Sequence, residues 1–231
     1  MPAVDMRTTV LTYILVNYLY TFVLAFTWYQ SKNHRWGTGY ILADFLFKGI
    51  GMTLATFRGS ISPFISIVVA NLFMFAGTIS MLFGMAQFLK QSLQKWPYFL
   101  YTFVFTLLYS WYALVEVNVR MRIILFSGML APIFIYITWM IFFRAEHSLR
   151  KHATHAGVTF ALFALAFLGR VLCAMAGGPV SHYFNQPISD SLLVLTCQVL
   201  SIYLAYAILL MINSKLFELT DLHLDTHKKR P

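Results

Sequence analysis

Seven apolar runs lie almost end to end along this chain, at residues 8–29, 38–57, 63–89, 98–119, 123–143, 156–176 and 192–212. Each is close to the ~20 residues that a helix needs to cross the hydrocarbon core of a bilayer. The runs do not alternate polar and apolar positions, as the strands of an outer-membrane barrel would. Each therefore predicts a helix whose backbone groups pair within the segment. The pattern predicts an all-α polytopic membrane protein with seven transmembrane helices. The first run has no basic start and no small-residue cleavage site, and it is too long for the core of a signal peptide, so it reads as a signal anchor. The connections are short, the longest being residues 177–191, which leaves no room for a soluble domain.

The basic residues orient this map. With the N-terminus outside, Lys32, Arg35, Lys90, Lys95, Arg144, Arg150 and Lys151 fall in inner loops, and Lys215, Lys228, Lys229 and Arg230 in the tail. The outer side keeps Arg7, Arg58, Arg120 and Arg122. This positive-inside bias predicts N-terminus out and C-terminus in. The net charge of +9 is then explained by inner loops beside anionic lipid and needs no nucleic acid. Trp28, Trp36, Trp96, Tyr29, Tyr98 and Tyr183 stand at span ends, as an aromatic belt would. The two cysteines, Cys173 and Cys197, lie inside spans, so no disulfide framework is indicated. No internal repeat and no pair of Gly/Pro-broken half-helices is visible, the usual pointer to a transporter site. Pro132 predicts a kink that neighbouring helices would tolerate.

Polar residues inside the spans carry the candidate chemistry, because a charge in hydrocarbon demands a partner or a role. Asp44 and Lys48 stand at i,i+4 on one face of the second span, where they can pair with each other. Snorkelling of Lys48 and ion handling by the pair are the other readings. Arg170, in the outer half of the sixth span, has no acid within one turn. Glu116 and Asp190 are the acids at similar depth, and Arg58, Arg120 and Arg122 ring the same level. Arg170 is thus either a clamp between helices or part of a polar pocket, open to the outside, for an anionic ligand. The candidate ligand-binding set is Arg170, Glu116, Asp190 and Arg58; the bidentate fork of arginine suits carboxylate or phosphate. Asn71, Gln87 and Gln198 suggest interhelical hydrogen bonds, and Gly77 and Gly84, two turns apart, suggest a close helix neighbour.

No catalytic signature appears: there is no Gly-x-Ser-x-Gly, His-Glu-x-x-His or phosphate loop. The histidines lie in loops, at span ends or in the tail, which disfavours a haem held inside the bundle. His147, His152 and His155 beside Glu146 read as a solvated basic loop rather than a metal site. Lys215 lies past the inner end of the last span, so the helix count does not make this a retinal protein. Neither an enzyme, a cofactor nor a metal is expected.

One series of short motifs is more specific. It runs Trp36-Gly37-Thr38-Gly39-Tyr40, then Phe45 to Met52, Arg58-Gly59, Pro63 with Ser66-Ile67, Ala70-Asn71, and Gly84 with Phe88; Arg122 to Ser127 and Leu168-Gly169-Arg170 follow. The series resembles the seven-helix membrane sensory modules that precede GGDEF diguanylate cyclases, and some histidine kinases, in bacteria. The resemblance covers nearly the whole chain. It implies an input module of the bacterial inner membrane, at residues 1–213. Residues 214–231 would be a basic cytoplasmic tail and the start of a signalling helix, on which Leu216, Leu219 and Leu222 recur. No GGDEF domain follows in this chain, so any cyclase output lies outside it. The implied function is to sense a ligand or a membrane state and pass a helix shift to a cytoplasmic partner. The expected partners are the lipid bilayer, a small ligand on the outer side, a second copy of the chain along the tail helix, and that cytoplasmic output. A small transporter or permease is the alternative.

Overall fold

The computed structural model describes residues 6–30, 36–146, 149–176 and 188–228. Among them there are seven long α-helices: α1 Met6–Gln30, α2 Thr38–Thr56, α3 Ala70–Phe88, α4 Trp96–Ser110, α5 Val119–Arg144, α6 Arg150–Ala176 and α7 Ile188–Lys228. A π-helical turn, Phe64–Val69, leads into α3 without a break, and a second, Trp111–Val115, ends α4. The described residues form no strand; one isolated bridge joins Arg58 and Ile61. Lys32, Arg35, Tyr183 and the 177–187 stretch lie outside the described residues.

Among the described residues, six stretches are long and apolar enough to cross a membrane: Thr8–Tyr29, Phe64–Phe88, Trp96–Val115, Val119–Arg144, Arg150–Ala176 and Val194–Phe217. Seven were expected. The remaining run forms α2, a helix of 19 residues, but Asp44, Lys48 and its glycines dilute its hydropathy. The protein is an all-helical, polytopic integral membrane protein.

Contacts between helices close a ring in the order α1, α2, α3, α5, α6, α7 and back to α1, while α4 lies outside against α3 and α5. Short connections turn successive helices back on one another. One end of the bundle therefore gathers the starts of α1, α3, α5 and α7 with the ends of α2, α4 and α6. Leu11, Leu15, Leu19, Phe22 and Phe26 form an exposed stripe on α1, and Phe99, Phe103 and Leu107 do the same on α4. Apolar faces of this extent suit lipid, not water. The core is aromatic: Phe75 stacks on Phe105 with centroids 4.1 Å apart, and Phe134 packs on Phe163 at 5.2 Å.

Small polar side chains are accommodated by their own helices. The hydroxyls of Thr21, Thr53, Thr102 and Thr138 each donate to the carbonyl four residues back, which satisfies them where no water is present. Asn71 does likewise: its Nδ2 donates to the Ile67 carbonyl at 2.7 Å, so this expected interhelical bond is intrahelical. Gln198 does reach another helix, accepting from Thr12 at 3.4 Å. Gly77 and Gly84 both face α2. A Cβ on Gly84 would lie 2.6 Å from Ile41 Cγ1, and one on Gly37, at φ 79°, would run into the Gly84 carbonyl. Pro132 sits inside α5 without ending it.

Candidate functional site: a three-arginine cavity inside the helix ring

Three arginines reach one cavity from three different elements. Arg58 sits in the turn after α2, where its N–H donates to the Ala55 carbonyl and Gly59 takes φ 97° to reverse the chain before Pro63. That left-handed conformation favours glycine. Arg122 sits in the first turn of α5. Asn118 caps that helix, its side chain accepting from the Met121 N–H at 3.1 Å. Capping starts α5 four residues earlier than the apolar run suggests, so Arg122 is a helical residue and only 7% exposed. Arg170 comes from the last two turns of α6 and is half-buried. The Nε atoms of all three are shielded from solvent.

The cavity is about 120 Å³. Asn71, Tyr109 and Tyr13 add polar groups to its wall, Met52, Met74 and Phe126 are apolar, and α7 contributes Val194 and Cys197. No carboxylate among the described residues lines it. Of the expected ligand-binding set, Arg58 and Arg170 are brought together and Glu116 is not. Glu116 ends the π-helical turn after α4 and is exposed, away from the cavity wall. Asp190 belongs to α7, but its side chain lies outside the described residues. Arg120, two residues before Arg122, points elsewhere, donating to the carbonyls of Ala174 and Met175 at the end of α6.

A second, deeper cavity of about 70 Å³ adjoins the first, sharing Tyr13, Met74, Phe126, Phe167 and Cys197. Its remaining wall is Leu130, Phe134, Phe163, Thr78 and Lys48. Lys48 Nζ lies 2.8 Å from the carboxylate of Asp44, whose side chain is fully buried. The pair that the spacing predicts is thus formed. Gly77 makes room for it: a Cβ there would sit 3.0 Å from the Asp44 carbonyl.

At the opposite end of the bundle, Lys215 is buried on α7. Its Nζ donates to the Phe88 carbonyl at 2.8 Å, at the end of α3, and lies over the rings of Phe88 and Trp36 at 4.3 and 5.4 Å. Lys90 Nζ meets Glu146 at 2.8 Å nearby, which holds the Glu146 carboxyl below its ordinary range. His155 is bonded to the Tyr203 hydroxyl at 2.7 Å, and no metal-binding group of His, Cys, Asp or Glu occurs among the described residues. His147 lies outside them.

Reading the sequence placed Arg122 only in an outer ring, and missed Tyr13, Tyr109 and Cys197 as wall residues. A signal was present. Val119, Arg122, Ile123 and Phe126 fall at i, i+3, i+4 and i+7, and Phe167 with Arg170 and Val194 with Cys197 repeat the i,i+3 step. A cation on the apolar, inward face of a helix marks a lined cavity. Searches against family models, curated proteins and solved structures give no match to this chain.

Proposed function

We propose that the chain is a membrane sensory or regulatory module that takes an anion into the three-arginine cavity and passes a shift along α7 to a cytoplasmic output. In this reading α2 is the seventh span, the arginine end faces outward and the C-terminus lies in the cytoplasm of a bacterial inner membrane. The observation that carries it is the position of α7. The helix that walls the cavity with Val194 and Cys197 continues unbroken to Lys228, beyond its apolar stretch. Three guanidinium groups facing one cavity make its potential positive, which favours an anion there. Charge-assisted hydrogen bonds to an oxyanion supply about 1.5–3 kcal/mol each. A ligand that binds one packing of α7 better than another shifts the population between them.

The test is a cysteine at Phe217, which is 71% exposed near the inner end of α7, in a background with Cys173 and Cys197 changed to Ser. Its reactivity should change several-fold on adding inorganic phosphate or sulfate, and Arg170→Gln should abolish the change. Binding without any change at residue 217 would remove the signalling role. The deeper cavity, which reaches Lys48, favours transport as the second reading; anion flux in reconstituted vesicles would establish it.

A further inference from the structure

We infer that the ligand is a small amphiphilic oxyanion, a phosphate or carboxylate head on a short apolar tail. This deepens the reading of the arginine cavity as an anion site and rests on it. The two adjoining cavities differ in chemistry. The outer one presents Arg58, Arg122 and Arg170, suited to a doubly hydrogen-bonded head. The deeper one is walled mainly by Leu130, Phe134, Phe163 and Phe167. Its one cation, Lys48, is already held by Asp44 at 2.8 Å, so the far end calls for no second anion. An apolar cavity of about 150 Å³ takes a six-carbon ring, so the deeper one, about 70 Å³, takes a tail of roughly three carbons.

Cys197 borders both cavities and reports on both. The full chain in nanodiscs, with the exposed Cys173 changed to Ser, keeps Cys197 as its one thiol. The rate of its alkylation by a neutral maleimide is measured against inorganic phosphate, propyl phosphate, octyl phosphate, acetate, butyrate, butanol and vesicles containing phosphatidic acid. Each buried methylene tightens binding about four-fold, so propyl phosphate should protect at concentrations on the order of fifty-fold below inorganic phosphate. Butyrate should likewise exceed acetate. Arg122→Gln and Arg170→Gln should weaken all anions together. Phe163→Trp, which fills the deeper cavity, should erase the gain from the tail while leaving inorganic phosphate unchanged; Leu130→Phe is the second variant for the same effect. Equal protection by inorganic phosphate and propyl phosphate would overturn the tail while leaving the anion site standing. Stronger protection by octyl phosphate or phosphatidic acid would assign the site to lipid, and protection by butanol equal to butyrate would remove the head. Protection by none of the anions would overturn the anion site itself.

Discussion

Arg120 and Arg122 stand two residues apart at the start of α5, one closing the carbonyl end of α6 and the other lining a cavity. Their substitutions should separate. Arg120→Gln removes charge-assisted bonds to Ala174 and Met175 and should lower stability by about 2–3 kcal/mol, with anion binding intact. Arg122→Gln should lose the stabilisation that sulfate gives the wild type; thermal melting with and without sulfate reads both. Lys90 offers a second case. It takes φ 58° after α3, where the N–H of Gln91 reaches the Ala86 carbonyl and that of Lys90 reaches Gln87, a helix end that ordinarily uses glycine. Lys90→Gly should relieve about 1 kcal/mol of left-handed strain. It also removes the bridge to Glu146, which is exposed and worth less than that. The Glu146 carboxyl is depressed, so its contribution is complete above the ordinary carboxylate range and is lost as pH falls through its lowered value. Melting of wild type and Glu146→Gln should therefore differ slightly at neutral pH and converge in acid. Pairing of Asp44 with Lys48 was legible because i,i+4 spacing fixes it within one helix. The separation of Glu116 from Arg170 was not, because depth along the chain does not say which way Glu116 turns after a π-helical end.

α2 and α3 meet through glycine. Gly37→Ala should destabilise most, since its Cβ would strike the Gly84 backbone and its φ is positive. Gly84→Ala meets Ile41 Cγ1 at 2.6 Å, with the Gly37 carbonyl and the Ile41 backbone nitrogen at 3.1 Å, and should cost about 3 kcal/mol. Gly59→Ala meets nothing and should cost only its backbone strain, about 1 kcal/mol. Chemical melting of the three variants in one detergent checks the order. At the other end of the ring, Lys215→Met should release α7 from the Phe88 carbonyl and raise the labelling of a cysteine at Phe217. Leu216 is partly buried against the core, and the side chains of Leu219 and Leu222 lie outside the described residues. The long helices were legible from apolar runs alone, since lipid demands them. The burial of Lys215 was not: a lysine just past a span looks solvated unless the facing helix end and the rings of Trp36 and Phe88 are known.

Across the whole molecule, one end holds the arginine cavity and the other the Lys90, Glu146 and Lys215 contacts. The ring order that makes a central cavity was not visible in the sequence, because lipid-facing and ring-facing apolar residues are chemically alike. The exclusion of α4 from the ring depends on the same distinction. The positive-inside bias predicts a cytoplasmic tail, so an alkaline phosphatase fused at Pro231 should stay in the cytoplasm and be inactive; full activity would reverse the orientation. The central claim, that three guanidinium groups make this cavity selective for anions, is tested most directly at its only thiol. In the Cys173→Ser chain, Cys197 should react much faster with an anionic methanethiosulfonate than with a cationic one of similar size, and Arg122→Gln should shrink that preference. Equal rates for the two reagents, or faster reaction with the cation, would contradict it.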